Sequence, residues 1–173
     1  MAPEPTADGM VVRALTPLDA HAVTQWRYEG PWSVYDGNEA ERISAELGYH
    51  AIAERATGRF LGYFCLGADA RVPGLDAEPD VVDLGVGLDP AIVGQGRGAA
   101  IVRPVLDWVA ARSDAARLRA VVQAWNERSL RFCRSLGFEV VGRHPALQEG
   151  SLVEYVVLER PLRPGTTGEV PVT

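Results

Sequence analysis

The sequence predicts a single α/β domain built on a mixed β-sheet, and three observations lead to this prediction. A chain of 173 residues, 47% of them hydrophobic, is long enough to bury one core. Its apolar patterns follow the order β-α-α-β-β-β-α-β-α-β-β, which differs from the regular alternation of a doubly wound sheet. No repeat or linker divides the chain, so we expect one domain at residues 10–162 between flexible ends at residues 1–9 and 163–173.

The first half of the chain is predicted to hold three strands and two helices. Met10–Leu15 is typical of a strand, and Thr16 can cap a helix that begins at the following proline. That helix is expected to place on its apolar face Leu18, Ala22, Val23 and Trp26. After the aromatic-rich break YEGPWSVYDG we expect a short helix around Glu39–Leu47. The runs YHAIAERA and RFLGYFCLG, joined by a Thr-Gly pair, then predict a hairpin.

The second half is predicted to hold four strands and two helices. VVDLGVGL (81–88) is the fourth strand, and a glycine-rich loop separates it from an amphipathic helix at residues 98–112. LRAVVQAW is the fifth strand. Asn126 can cap the next helix, which ends at Leu136 before Gly137. FEVVGRH and LVEYVVLER supply the last two strands.

Composition and charge exclude several classes of protein. Lys and Arg together number 17 against 23 Asp and Glu, and the net charge of −6 argues against a sequence-independent nucleic-acid binder. The two cysteines form no CxxC pair and the three histidines are scattered, so we expect a reducing compartment and no metal site. Without a signal-peptide pattern or an apolar run of about 18 residues, we expect a cytoplasmic protein with no membrane contact.

The stretch GLDPAIVGQGRGAAIV (87–102) combines a strand end, a glycine-rich loop and the start of a helix. Such an arrangement binds anions, because free N–H groups and the positive end of the helix dipole converge there. A P-loop would need Lys followed by Ser or Thr after the last glycine, and GRGAA has neither. A dinucleotide fingerprint should follow its strand directly, with an acid about 20 residues later, and this context is absent.

A pyrophosphate on a long thin arm, as in coenzyme A, is the third ligand class. It also accounts for Gly85 and Gly87, which share one face of the fourth strand where side chains normally pack. Glycine inside a strand marks a close approach of a ligand or of another part of the protein. An arm along this strand could hydrogen-bond to its backbone. Tight packing under a helix explains the same two glycines, and both interpretations stay open.

Two sequence blocks resemble those of the GNAT superfamily of acyl-CoA-dependent N-acyltransferases. DLGVGLDPAIVGQGRGAAIV is similar to the family's acyl-CoA loop, (Gln/Arg)-x-x-Gly-x-(Gly/Ala), and NERSLRFCRSLGF is similar to a later block that ends in Gly-Phe. The resemblance extends over roughly 11–160 in element order. It implies a GNAT-like, mostly antiparallel sheet of about seven strands, flanked by about four helices and splayed between strands four and five.

The resemblance also implies which residues bind the cofactor, acetyl-CoA. The backbone of Val86 and Leu88 would hold the pantetheine arm. The pyrophosphate would lie in the loop, on Val93, Gly94, Gln95, Gly96, Arg97, Gly98 and Ala99. Val93 departs from the family pattern, where Gln or Arg is usual. Asn126 stands where a side chain commonly contacts the cofactor, although a cap of the following helix is an equally good interpretation.

The reaction that the resemblance implies is direct transfer of an acetyl or longer acyl group from the thioester to a primary amine of a small molecule or peptide. Asp83 stands where relatives often carry Glu, so it is the candidate base, acting through water; a solvated or capping acid is the alternative. Cys133 occupies the position of a tyrosine that protonates the departing thiolate, or else it is a small apolar residue of a helix face.

The acceptor pocket is predicted from aromatic residues between the first helix and the third strand, with one more at the end of the fifth strand. These residues, each of which could instead belong to the core, are Trp26, Tyr28, Trp32, Tyr35 and Trp125. A catalytically silent acyl-CoA-binding or small-molecule-sensing protein would share the cofactor residues. The sequence leaves open the acceptor, the acyl length and whether the chain forms a homodimer.

Overall fold

In the computed structural model, residues 4–5, 9–37, 43–163 and 165 are described. Its principal strands are β1 (Met10–Ala14), β2 (Tyr49–Glu54), β3 (Phe60–Leu66), β4 (Val81–Leu88), β5 (Arg117–Gln123), β6 (Glu139–Gln148) and β7 (Ser151–Pro161). The α-helices are α1 (Pro17–Thr24), α2 (Gly98–Ala110) and α3 (Glu127–Ser135). Short 3₁₀ segments occur at Gly30–Tyr35, Ala45–Leu47 and Gly67–Ala70.

The strands form one sheet in the order β1-β2-β3-β4-β5-β7-β6, with the two-residue strand Glu4–Pro5 beside β1. All neighbours are antiparallel except β4 and β5, which are parallel. β4 and β5 pair only through Val81–Asp83 and Arg117–Arg119, and beyond Asp83 the two strands separate. We call this point of separation the fork. The predicted fold class, including the splay between strands four and five, is confirmed.

The first helix begins where the sequence predicts. The Thr16 hydroxyl accepts the backbone N–H of Asp19, and the Asp19 carboxylate accepts the N–H of Thr16, which completes a capping box. The predicted apolar face is wrong in part, because Leu18 is 81% exposed and Trp26 lies beyond the helix end. Asp19 is buried instead, since its carboxylate also binds the Arg13 guanidinium, and this pair sets the rotation of the helix.

The interior divides into two hydrophobic clusters. The larger lies under α2 and α3, and the predicted apolar face of α2 enters it with Ile101, Val102, Val105, Leu106 and Val109. The smaller consists of Leu15, Val23, Trp26, Ile43 and Ala51. Ala51 and Ile52, which are neighbours on β2, belong to different clusters, so the clusters lie on opposite faces of the sheet and the larger one is on the α2 face.

Several predicted features fall partly outside the described residues. The helix expected around Glu39–Leu47 falls outside the described residues up to residue 42. Its described part, residues 43–47, contains only the 3₁₀ turn Ala45–Leu47. Most of the two predicted flexible ends also falls outside the described residues, although Glu4 and Pro5 pair with Val12 and Val11. Within the described part of the chain, no helix has the length and apolarity needed to cross a membrane.

Candidate active site

The fork opens a groove of about 1720 Å³ between the two halves of the sheet. Its walls come from β4, β5, the glycine-rich loop before α2, and the inner face of α3. The segment between α1 and β2 closes the groove on the other side. The groove thus joins the two sequence blocks that carry the family resemblance with the aromatic-rich break that precedes the hairpin.

Beyond Asp83, no strand of the described residues pairs with the edge of β4 that borders the groove. The Asp89 N–H donates to the Leu61 carbonyl at 2.9 Å, so the odd-numbered residues of β4 direct their backbone groups toward β3. Leu84, Val86 and Leu88 therefore direct their N–H and C=O groups toward the fork, where β5 no longer pairs with them. The role of the Val86 and Leu88 backbone in holding the cofactor stays a prediction. The Leu88 carbonyl accepts the Tyr28 hydroxyl at 2.6 Å.

Gly85 and Gly87 are covered by protein. A Cβ on Gly87 would lie 2.5 Å from Cζ of Tyr63, and one on Gly85 would lie 3.1 Å from Sγ of Cys65. Both contacts come from β3, so the packing interpretation accounts for these glycines. The sequence suggested that a helix packs over these glycines. In the structure they are covered instead by the neighbouring strand β3 and, at Gly85, by Ala70.

The N-terminus of α2 has the features of an anion site. Its N-cap residue, Arg97, makes no side-chain cap, whereas α1 is capped by Thr16 and α3 by Asn126. The first helical hydrogen bond of α2 runs from the Ile101 N–H to the Arg97 carbonyl. The N–H groups of residues 98–100 are therefore available for a ligand. Gly94 and Gly96 have φ of +82° and +73°, and a Cβ at either would meet nothing within 4 Å. These positions need glycine for backbone conformation and border open space.

The other predicted loop residues occupy different environments. Val93, Gly98 and Ala99 line the groove, and a Cβ on Gly98 would lie 2.9 Å from the Phe132 ring of α3. The Gln95 side chain instead turns back to donate to the Ala91 carbonyl at 2.8 Å. Arg97 lies 3.8 Å from the carboxylate of Glu54. The loop can therefore receive an anion chiefly through backbone groups.

Asn126 is 3% exposed and its side chain is almost fully engaged. Its Oδ1 accepts the Ser129 N–H at 3.1 Å, which caps α3, and the Trp32 indole N–H at 3.0 Å. Its Nδ2 donates to the Tyr35 hydroxyl oxygen at 3.2 Å. One amide N–H is left for a further acceptor. Asn126 thus lines the groove, but its main partners are protein groups.

Asp83 lies at the fork in a buried ion-pair network. Its Oδ1 accepts Nε of Arg119 at 2.6 Å, and its Oδ2 accepts Nη2 of Arg119 at 3.2 Å and Nη1 of Arg71 at 3.0 Å. Arg119 is 1% exposed, and its hydrogen bonds to Asp83 raise its pKa. Because guanidinium groups bind both oxygens of this carboxylate, these contacts favour a structural role. The predicted base role stays a prediction.

Cys133 is a buried residue of the larger hydrophobic cluster and also borders the groove. Burial raises the pKa of its thiol to about 11, with a small opposing effect of Arg134. A thiol with this pKa is a poor proton donor to another thiolate, because the transfer runs uphill. The surroundings of Cys133 favour the packing interpretation.

The five predicted pocket aromatics fall into three groups. Tyr28, Trp32 and Tyr35 line the groove. Trp125 packs on Trp32 and Tyr35, with ring centroids 6.2 and 6.1 Å apart. Trp26 is 7% exposed and stacks on Phe60 and Tyr63, so it is mainly a core residue, although its edge borders the groove.

Sequence reasoning missed three tyrosines that line the groove, and it missed Arg119, the ion-pair partner of Asp83. All five tyrosines of the chain line the groove, and the three not predicted are Tyr49, Tyr63 and Tyr155, which lie on strands. Burial is the main cause that raises the pKa of the phenols at residues 28, 35, 49 and 155, so they remain protonated donors. Arg119 carried a usable signal, because a charge inside the apolar run LRAVVQAW requires a buried partner.

Comparisons with known proteins agree with this geometry. Residues 10–139 match the acetyltransferase (GNAT) domain family. A GNAT-family acetyltransferase from Bacillus anthracis shares the fold with a TM-score of 0.67 and 12% identity, over 93% of this chain and 99% of that chain. A search of curated proteins finds no significant match.

Two further structures with the same fold contain the cofactor. A GNAT-superfamily phosphinothricin acetyltransferase from Sinorhizobium meliloti, in complex with AcCoA, has a TM-score of 0.61 and 18% identity over 94% of this chain and 96% of its own. A Salmonella typhimurium protein with its cofactor acetyl-CoA has a TM-score of 0.58 and 20% identity, over 94% and 99%. With the family match extending over most of its length, this chain belongs to the GNAT acetyltransferase family.

Proposed function

We propose that this chain transfers an acetyl group from acetyl-CoA to a primary amine of a small molecule or peptide. The observation that carries the proposal is that the edge of β4 left unpaired by β5 at Leu84 and Val86 and the uncapped N-terminus of α2 border the same groove. A thin arm that needs backbone hydrogen bonds and ends in a pyrophosphate fits this pair of features. Family membership and the acetyl-CoA found with two structures of the same fold support it.

The residues present fit coenzyme A at both ends of the arm. The N–H groups of the first turn of α2 and the loop around Gly94 and Gly96 would hold the pyrophosphate, because a left-handed glycine turns its amide into the open space there. The free edge of β4 would hold the arm. When bound, acetyl-CoA supplies an activated acyl group, and the chain supplies position, hydrogen bonds and exclusion of water.

Carboxylates in the lining of the groove suit an amine. Asp36, Asp69 and Glu149 border the groove on three separate segments, although three arginines border it as well. The Asp36 Oδ1 accepts the Tyr28 N–H at 2.7 Å. An amine is an ammonium ion at neutral pH, so these carboxylates would attract it before it loses its proton. The tyrosine hydroxyls that border the same space can donate hydrogen bonds to the acceptor.

The binding half of the proposal is tested by calorimetry with coenzyme A. Gly96→Val should lower the affinity by about tenfold or more, since its branched side chain fills the open space and strains φ. Gly58→Val is a matched control: Gly58 also has φ of +73° and nothing within 4 Å of a Cβ, but it lies in the β2–β3 turn. Both variants bear a strain of about 1–2 kcal/mol, and only Gly96→Val should weaken binding. Equal affinity of the two variants would contradict the assignment.

The transfer half is tested by thiol release from acetyl-CoA over a panel of amines. All 17 basic residues are arginines, so the chain has no lysine ε-amine that could accept acetyl groups and raise the background. Release above that of an amine-free sample supports the transfer. Tight coenzyme A binding without release for any amine would point to the catalytically silent protein.

A further inference from the structure

The segment Tyr28–Asp36, which we call the aromatic segment, is held against the start of α3 by side chains. The Trp32 indole N–H and the Tyr35 hydroxyl both bind the amide of Asn126, at 3.0 and 3.2 Å. Trp125, the residue before Asn126, packs on the rings of Trp32 and Tyr35. These contacts join parts of the chain that lie more than 90 residues apart, as the 94-residue separation of Trp32 and Asn126 shows.

Two further contacts hold the aromatic segment, one to Arg128 of α3 and one to Leu88 of β4. The Arg128 guanidinium lies 4.2 Å from the centre of the Trp32 ring, a cation–π contact from the first turn of α3. At the other end of the segment, the Tyr28 hydroxyl donates to Leu88 of β4 across the groove. The aromatic segment therefore spans the fork between the two halves of the sheet.

Few backbone contacts hold this segment. Among the described residues it forms a 3₁₀ turn at Gly30–Tyr35 and belongs to no sheet. The N-cap residue of that turn, Glu29, makes no side-chain capping hydrogen bond. Gly37 N–H binds the Trp26 carbonyl at a long 3.5 Å. Since Val34 and Tyr35 are 63% and 40% exposed, burial contributes little there. Among the described residues, the side-chain bonds to Asn126 and the Tyr28–Leu88 bond are consequently principal constraints on its position.

We propose that Asn126 is a positioning residue that places the aromatic segment as a wall of the acceptor site. Its Oδ1 serves the helix cap and Trp32 together, and its Nδ2 holds Tyr35, so one buried amide links α3 to the groove wall. The identity of that wall as the acceptor side rests on the proposed function. This role differs from the direct cofactor contact that the family resemblance implies for the same residue.

Asn126→Ser separates the two roles of the side chain. Serine caps helices as well as asparagine does, but it has no amide donor and is too short to reach Trp32 and Tyr35. Hydrogen exchange of the backbone amides of Trp32–Gly37 should accelerate about tenfold, while exchange in Glu127–Ser135 stays unchanged. Coenzyme A affinity should remain within about twofold. These readouts need no knowledge of the acceptor.

The kinetic readout uses whichever of tyramine, spermidine and glycinamide gives the fastest thiol release. Asn126→Ser should raise its KM about fivefold or more and leave kcat within about twofold. Trp32→Phe, which keeps the ring and removes the indole donor, should act in the same direction. It should add nothing in the Asn126→Ser background, because the shared bond is already lost.

Three outcomes would overturn the proposal. Unchanged exchange of Trp32–Gly37 in both variants would mean that other contacts hold the segment. A loss of coenzyme A affinity without faster exchange would make Asn126 a cofactor ligand. If Asn126→Ser also frays α3, Trp32→Phe combined with Tyr35→Phe decides, since this double variant removes both partners of the Asn126 amide, and an unaltered segment in it would leave only the cap role. If the unaltered protein does not bind coenzyme A, the proposed function fails, and the exchange result still stands.

Discussion

Cys133 illustrates how one residue's surroundings limit its chemistry. The thiol stands in the position where the family resemblance implies a proton donor, yet it lies in the hydrophobic cluster between α2 and α3. Burial raises its pKa to about 11, as burial also does for Cys65. A donor of that pKa contributes little at neutral pH, and solvent can protonate the departing thiolate.

We therefore expect Cys133→Ala to change turnover less than about threefold, whereas loss of a general acid costs about 100-fold. Steady-state thiol release measures this directly. Cys65→Ala is the matched control, because it removes the other buried thiol, which packs against Gly85 on β4. A drop of about 100-fold confined to Cys133→Ala, with unchanged coenzyme A affinity, would restore the acid role.

At the scale of elements, α2 packs on the sheet through a stack of rings. His50 of β2 lies 4.9 Å from Phe64 of β3 and 4.7 Å from Trp108 of α2, measured between ring centroids. The Arg112 guanidinium lies over the Trp108 ring, at 4.0 Å from the ring centre. Burial lowers the pKa of His50, so the stack favours the neutral imidazole.

This stack predicts a pH dependence of stability. Below pH about 6.5 the unfolded chain binds a proton at this histidine more readily than the folded chain does. The unfolded state then carries more protons, so the free energy of unfolding falls as pH decreases from about 6.5 toward the lower pKa of the folded state. Urea unfolding measured from about pH 5 to about pH 8, the range in which histidine titrates, gives the slope of the unfolding free energy against pH.

His50→Gln should flatten that slope relative to the unaltered protein. His21→Gln is the matched control, since His21 lies exposed on α1 and has none of these ring contacts. Equal slopes for His50→Gln and the unaltered protein would show that the stack does not control the dependence.

At the scale of the whole molecule, the fork is held by an ion pair at its apex. Asp83 and Arg119 are register partners in the last residue pair before β4 and β5 separate. The same arginine binds Glu78 at 2.9 Å and the Asp76 carbonyl at 2.7 Å, which ties the long loop before β4 to the network. The groove keeps its shape because the two halves of the sheet are joined there by side chains as well as by backbone.

Asp83→Asn should lower the free energy of unfolding by about 3–5 kcal/mol, because it removes the buried negative charge beside Arg119 and leaves that buried guanidinium with only the half-exposed Glu78 carboxylate. Urea unfolding measures the change. Glu154→Gln is the control: it breaks the exposed pair with Arg143 on β6, which should cost no more than about 1 kcal/mol. Normal stability of Asp83→Asn together with a loss of turnover that is greatest at low pH would instead support the predicted base role.

The sequence by itself determined most of the described elements and the place of the glycine-rich loop, because these depend on local patterns. Strand runs, the capping residues Thr16 and Asn126, and the glycines at 94 and 96 act through neighbouring residues, so spacing alone reveals them. The family resemblance of the two motif blocks predicted the splayed sheet, whereas the cofactor role of Val86 and Leu88 stays a prediction.

Only the tertiary structure decided what individual polar and aromatic side chains do. Asp83 became an ion-pair partner because Arg119, 36 residues later, lies beside it in a parallel strand pair. Asn126 became an anchor because Trp32 reaches it from the far side of the fork. Gly87 is needed because Tyr63 lies across it from the neighbouring strand. Each role depends on a partner distant in the chain, and sequence spacing contains no information about which distant groups share a buried space.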